Sequence, residues 1–253
     1  MKKNLIRIGF LGLILSLIGT GMISVVYKED FQTGRAFQKN DIPFSIIITD
    51  RNDQELHRSF DNQNREWINL EEIPEELKKI TLIAEDKRFY KHIGVDPVSV
   101  SRAMVTNVKT GRFAQGGSTL TQQIARKAFL YDEKTLQRKA REAAIALGIE
   151  SSMTKDEILE MYLNIAPYGP TLAGVKSASE FYFQKPVSEL RTSEMLLLAV
   201  LPQKPVFLSR ETLVSEWMGK CTDTENKTRC TPFDRSDYQP SRLDSILFDL
   251  ART

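Results

Sequence analysis

Apolar positions along this chain fall into three regimes. From Ile8 to Tyr27 no residue is charged; Lys2, Lys3 and Arg7 precede the stretch, and Lys28, Glu29 and Asp30 follow it. Twenty residues at helical rise cover about 30 Å, the hydrocarbon thickness of a bilayer. This predicts a transmembrane anchor, with the early cations in the cytoplasm and the rest of the chain outside. A cleaved signal peptide is the alternative, though no small-x-small site is evident beside Val25 and Val26. From Pro43 to Phe60 the pattern changes. PFSIIITD and ELHRSF read as two short strands joined at RNDQ, a hairpin with an Asn-Asp turn.

From Ile73 onward the period is helical. Leu77, Ile80, Ile83 and Ala84 recur at helical spacing behind Pro74. Pro97 opens a second helix to about Val108, Ser118 a third to about Phe129, and a longer one runs from about Lys134 to Glu150. Thr154 and Glu157 form a capping-box pair ahead of ILEMYLN. Further helices are predicted over about Leu172 to Phe183 and Thr192 to Val200. The LLLAVLP run is too short to cross a bilayer and reads as core. The C-terminal stretch is polar and irregular until SRLDSILFDLART, a helix without a stop signal, which leaves open that the chain is a piece of something longer. The expected division is an anchor over 1–30, linker and hairpin over 31–72, a helical core over 73–208 and an extension over 209–253. The fold class is mainly α with a small N-terminal β-hairpin.

Composition changes this picture little. The 253 residues are 41% hydrophobic and 27% charged, as in a globular chain, and the net charge of +2 gives no footprint for nucleic acid, so any cationic role is local. Cys221 and Cys230 flank TDTENKTR; outside the cytoplasm they can close a disulfide, and free thiols are the alternative. A metal site would lack a second pair of ligands, since His57 and His92 are the only histidines.

Three segments carry candidate chemistry. In AEDKRFYKHIGVD, Glu85 stands beside Asp86 behind an apolar helical face. A carboxyl so placed is predicted to have a raised pKa, suited to a general base. A surface carboxylate paired with Lys87 or Arg88 is the bland reading, and Glu-Asp alone favours it. In QGGSTLTQQ, Gly116 and Gly117 permit unusual backbone angles, Ser118 is the expected helix cap, and free N–H groups there would attract phosphate oxygens. Gln122 and Gln123 add amide donors. An ordinary capped helix is the bland reading. Then Arg126, Lys127, Lys134, Arg138, Lys139 and Arg141 surround Glu142. Such a run is usually a solvated face, but it also suits neutralising a diphosphate leaving group, with Glu142 kept ionised.

The order EDxxFxxHxGxD, GGSTLTQQ, RKxxE and then KDEILEMYLN resembles the peptidoglycan glycosyltransferases of glycosyltransferase family 51, over about Pro43 to Pro205. NIAPYGPTLAGVKSASEFYFQKP followed by LAVLPQKP looks most like their penicillin-binding protein 1C branch. The resemblance implies a lysozyme-like fold and polymerisation of lipid II, with inversion at the donor's anomeric carbon and release of undecaprenyl diphosphate. Carried over by motif, Glu85 resembles the general base and Glu142 the second essential carboxylate. Gly117, Ser118, Thr119, Gln122, Gln123, Arg126, Lys134, Lys139 and Arg141 fall where the family binds diphosphate and sugar. Asp86, Phe89 and His92 look like residues shaping the first motif's site, while Glu160 and Asn164 look structural. Arg126 stands where many members have Lys, and Lys134 where Arg is common. The implied partners are lipid II, the growing glycan strand, the membrane and other cell-wall synthesis proteins. No cofactor is required, with a divalent cation (Mg or Mn) as an optional stimulant.

Three rival readings stand beside this one. A lytic glycosidase also uses two carboxylates but has no need of the cation cluster. A transpeptidase is suggested by Ser152-Met-Thr-Lys155 and Lys109-Thr-Gly111, but these stand in reverse order with no Ser-x-Asn between them. An inactive scaffold binding lipid II is opposed by the intact Glu85 and Glu142.

Overall fold

The computed structural model describes residues 22, 25–60, 63–110, 117–129, 135–203, 221–224 and 227–230. In chain order the elements are α1 (Lys28–Ala36), β1 (Ile46–Thr49), β2 (Glu55–Ser59), α2 (Glu75–Glu85), α3 (Pro97–Thr110), α4 (Leu120–Phe129), α5 (Leu136–Ser152), α6 (Lys155–Ile165), β3 (Pro167–Gly169), β4 (Leu172–Ala173), α7 (Val175–Phe183), α8 (Thr192–Val200), β5 (Cys221–Thr224) and β6 (Lys227–Cys230). The fold is mainly helical, with small two-stranded sheets. Two units divide the chain: Met1–Asp41 with Arg88–Ile158, and Ile42–Lys87 with Leu159–Thr253.

The first unit is built on α5. Every residue from Glu142 to Ile149 is buried, so this helix is covered on all sides along its middle. Thr135 caps it, its side chain accepting the Arg138 N–H. α1 and α4 pack on α5. α1 stands in the stretch expected to be linker, and its packing depends on glycine. A Cβ on Gly34 would lie 2.1 Å from the Ile145 carbonyl oxygen, and one on Gly148 would lie 2.1 Å from that of Phe31. At the start of α6 the expected capping box is present: Glu157 accepts the Thr154 N–H at 2.7 Å, and the Thr154 hydroxyl accepts the Glu157 N–H at 3.3 Å.

In the second unit the hairpin forms where the β-branched run predicts it. β1 and β2 pair antiparallel with a bulge between Ile48 and Thr49. The Asp50 side chain organises the turn by accepting the N–H groups of Asn52 at 2.7 Å and Gln54 at 2.9 Å. Those same bonds hold the Asp50 carboxyl below its ordinary range. Beyond the hairpin, residues 64–70 run extended and are stitched to α6. Glu160 accepts Trp67 Nε1 at 3.2 Å and the Leu70 N–H at 2.8 Å. Asn164 accepts the Ile68 N–H at 2.9 Å and donates back to the Ile68 carbonyl at 2.9 Å. These partners give Glu160 and Asn164 the structural work expected of them. α2 packs on α8, where the Thr192 hydroxyl donates to Glu76 at 2.9 Å, and the Met195–Ala199 run of α8 is buried as predicted.

Several expectations shift. The helix predicted from Leu172 begins at Val175, because Leu172–Ala173 pairs with β3 instead. Gly174 intervenes at φ +83°, and a Cβ there would stand 2.7 Å from the Asn164 carbonyl. The polar segment after 209 contains a hairpin, β5–β6, which pairs Cys221 opposite Cys230 in register. Apart from Met22 and residues 25–27, the expected anchor lies outside the described residues, as does the terminal SRLDSILFDLART helix. Among the described residues, no helix is long and apolar enough to cross a membrane.

Candidate active site

Glu85 is the last residue of α2, which puts its carboxylate at the negative end of that helix. It is half-buried, and Asp86 beside it is 7% exposed. The apolar face behind them is real: Leu77, Ile80 and Ala84 are buried. Tyr168 of β3, which the sequence reading did not single out, belongs to the same unit. Burial raises its phenol far above the ordinary range, and the negative charge of Glu85 adds to that rise. Its carbonyl accepts the Tyr182 hydroxyl at 2.7 Å. The signal available in the sequence was an aromatic residue between proline and glycine directly after the α6 motif.

The remaining motif residues meet in the first unit. Glu142 is 1% exposed and paired twice within α5: Arg138 Nη1 meets Oε1, and Lys139 Nζ lies 2.6 Å from Oε2. Lys139 Nζ also donates to Ser118 Oγ at 2.5 Å. A buried carboxylate therefore holds two cations, of which Lys139 reaches the Gly-Ser-Thr turn, and the three groups leave one positive charge in excess. Arg138 belongs to the cationic run but not to the expected site residues, although its i, i+4 spacing puts it on the same helical side as Glu142. Arg141 goes elsewhere. Its Nε bonds the two carboxylate oxygens of Asp30 at 3.0 and 3.1 Å, and Nη2 lies 2.9 Å from Oδ1. Arg126 is half-buried in the last turn of α4. Lys134 lies outside the described residues.

The cap of α4 differs from expectation. Thr119 is the cap, not Ser118. The Thr119 hydroxyl accepts the Gln122 N–H at 3.2 Å, while Gln122 Oε1 accepts the Thr119 N–H at 3.2 Å. The same hydroxyl donates to the Gly94 carbonyl at 2.5 Å. Thr119 and Gln122 are 1% and 4% exposed, so this reciprocal cap is buried, and two N–H groups expected to face an anion are already engaged. Gln123 is half-buried, its N–H bonded to the Thr119 carbonyl at 3.0 Å. Gly117 needs no positive φ. Its requirement is room, since a Cβ would meet the Val100 Cα of α3 at 3.0 Å.

The first motif frames this turn. Gly94, at φ +92°, gives its N–H to His92 Nδ1 at 3.2 Å and its carbonyl to Thr119. Phe89 is 1% exposed, with Lys155 Nζ 4.4 Å above its ring. Asp96 caps α3, accepting the Val98 N–H at 3.0 Å and the Ser99 hydroxyl at 2.6 Å, with Arg88 Nε at 3.1 Å. Burial pushes the Asp96 carboxyl up. The Ser99 hydroxyl and N–H, Arg88 and the Val98 N–H outweigh burial and hold it below its usual range. The Ser152-x-x-Lys155 match does not form a nucleophile and base. Ser152 bonds back to the Ile149 carbonyl at 3.2 Å, and Lys155 pairs with Glu150 at 2.7 Å. Among the described residues, no three His, Cys, Asp or Glu side chains are grouped to hold a metal ion.

Residues 52–222 match the transglycosylase family model. The chain belongs to the transglycosylase family. Membership makes it a glycosyl-transferring enzyme. Among relatives, it is 38% identical to penicillin-binding protein 1F of Bacillus subtilis (strain 168) over 204 residues, covering 81% of this chain and 28% of that protein. It is 36% identical to penicillin-binding protein 1A of Aquifex aeolicus (strain VF5) over 206 residues, 81% of this chain and 28% of that one. It is 44% identical to penicillin-binding protein 1A of Escherichia coli (strain K12) over 195 residues, 75% of this chain and 22% of that one. The matched region thus spans about a quarter of these transglycosylase-family relatives.

Proposed function

We propose that this transglycosylase-family chain polymerises lipid II into glycan strands on the outer side of the cytoplasmic membrane, held there by residues 8–27. In this reading the domain is lysozyme-like. Glu85 takes the proton from the acceptor 4-hydroxyl as that oxygen bonds to the donor's anomeric carbon. The bond from that carbon to the diphosphate oxygen breaks, its electron pair leaves with undecaprenyl diphosphate, and configuration inverts. Arg138, Lys139 and Ser118 receive the charge that develops on the departing diphosphate. Glu142 holds the two cations in place.

One observation carries the reading: a carboxylate 1% exposed that pairs with two cations, one of which, Lys139, reaches Ser118 of the Gly-Ser-Thr turn, with positive charge left over. A hydrolase with a neutral leaving group has no use for that excess. Placement in the 1C branch rests on NIAPYGPTLAGVKSASEFYFQKP followed by LAVLPQKP. A Cys221–Cys230 disulfide is proposed with it, supported by their opposed register.

The test is a polymerisation assay on the purified chain with lipid II, with and without Mg or Mn. Long glycan is expected, preformed glycan should stay intact, and Glu85→Gln should abolish polymer while melting at the wild-type temperature. Shortened preformed glycan would replace the proposal with hydrolysis. Normal polymerisation by Glu85→Gln would remove Glu85 as the base.

A further inference from the structure

α1 has no apolar stripe, yet it is fixed to both helices that carry the anion-handling groups. Gly34 and Gly148 let the α1 and α5 backbones meet at a depth that any Cβ would prevent, with each Cβ position 2.1 Å from a carbonyl oxygen of the other helix. Asp30, with its side chain 14% exposed, takes Arg141 in a fork at 2.9 to 3.1 Å. Just past the end of α1, Phe37 meets Phe129 of α4 edge to face, with ring centroids 4.9 Å apart.

The stripe of α5 that faces α1 is Arg141, Ile145 and Gly148, spaced four and three residues apart. Arg138 and Glu142 form the neighbouring stripe, since successive residues turn by 100°. The rotation of α5 about its axis therefore decides where the paired cations stand. A rotation of about 20° moves a side-chain head at the helix surface by about 2 Å. That exceeds the roughly 1 Å misplacement that costs about a hundredfold in rate.

We propose that α1 is a positioning strut for the active site. Asp30 and Gly34 set the rotation and height of α5, and so hold Arg138, Lys139 and Glu142 on the Ser118 turn. Arg141 serves this contact and does not bind the anion. The proposal rests on the reading that the Lys139–Ser118–Glu142 group handles the departing diphosphate.

The test is a charge-swap cycle in the purified full chain, with lipid II polymerisation and hydrogen exchange of the amides from Gln137 to Ala143 read side by side. Asp30→Arg and Arg141→Asp are each expected to lower kcat about 10- to 100-fold with KM within about threefold. Both should speed exchange over that turn. The double swap is expected to restore both to within about threefold, because the fork re-forms in reverse. Gly34→Val gives an independent arm that leaves the charges untouched and is expected to share the kcat loss and the faster exchange.

A double swap as inactive as Arg141→Asp, with KM raised, would assign Arg141 to the substrate and overturn the strut. So would single variants with wild-type kcat. A wild-type chain that makes no polymer removes the proposed function, and exchange then decides the strut alone: unchanged exchange in Asp30→Arg overturns it, and faster exchange rescued by the double swap upholds it.

Discussion

Replacing Asn164 by alanine is expected to be among the most damaging single changes in the second unit. Asn164 is 0% exposed and makes three side-chain bonds: from the Ile68 N–H at 2.9 Å, to the Ile68 carbonyl at 2.9 Å and to the Glu160 carbonyl at 2.8 Å. Alanine strands both backbone groups of Ile68, a residue 8% exposed. Each buried polar group left unsatisfied costs about 1–3 kcal/mol, so the pair costs about 2–6 kcal/mol. For a chain of this size that is a fall in Tm of about 4–24 °C. Thermal melts of the detergent-solubilised chain by far-UV circular dichroism measure it directly. Asn164→Asp separates the bonds. It keeps an acceptor for the Ile68 N–H but turns charged oxygens toward two carbonyls, so it should be at least as harmful. The segment concerned leads into α2, so the surviving folded protein should also lose activity below its melting temperature. An alanine variant that melts within about 2 °C of wild type would refute the reasoning, because water or a shifted backbone would then be supplying what Asn164 supplies.

Three further outcomes follow from the first unit. Asp96→Asn should flatten the acid limb of stability: a carboxyl held below its ordinary value stabilises the fold above about pH 4 and loses that contribution as pH falls through its folded value, so the urea midpoints of wild type and variant should converge between about pH 5 and 2, and parallel curves would count against the cap. Gly94→Ala forces a side chain into φ +92° and sets its Cβ 2.9 Å from the Ala146 carbonyl. It should cost at least about 2 kcal/mol in urea denaturation, and an unchanged midpoint would show that the loop can relax. Glu142→Gln should lower polymerisation at least about 100-fold, with a stability loss of only about 1–3 kcal/mol; activity within threefold of wild type would end the case for Glu142.

What was legible in the sequence was whatever a local rule decides. The β-branched run before Asn52-Asp53 made a hairpin, Thr154 and Glu157 made a capping box, and Thr192–Val200 made a buried helix. What failed needed a partner from elsewhere in the chain. Ser118 and Thr119 are both good caps. The choice falls to Thr119 because its hydroxyl also meets the Gly94 carbonyl, while Lys139 claims Ser118. α1 went unread because its packing surface is a glycine, and hydrophobic periodicity cannot register a contact made by an absent side chain. Arg141 looked like its neighbours in a basic run. Only Asp30, 111 residues away, distinguishes it. The motif order identified the family, but it did not say which residues hold the others still.

Each unit is assembled from two separated stretches of chain, and this has a consequence in time. Residues 64–70 leave the ribosome well before α6 and α7, yet the bonds that fix Glu66, Trp67, Ile68 and Leu70 to those helices span 90 to 111 positions. At roughly 5–20 residues per second, the wait is about 5–20 s. Throughout it, Trp67 Nε1 and the backbone of Ile68 lack their α6 partners, and α2, which ends in Glu85, has no α8 to rest on. The nascent chain therefore carries Glu85 on an unsupported helix for longer than most domains take to fold. That interval is when a chaperone would matter most to it.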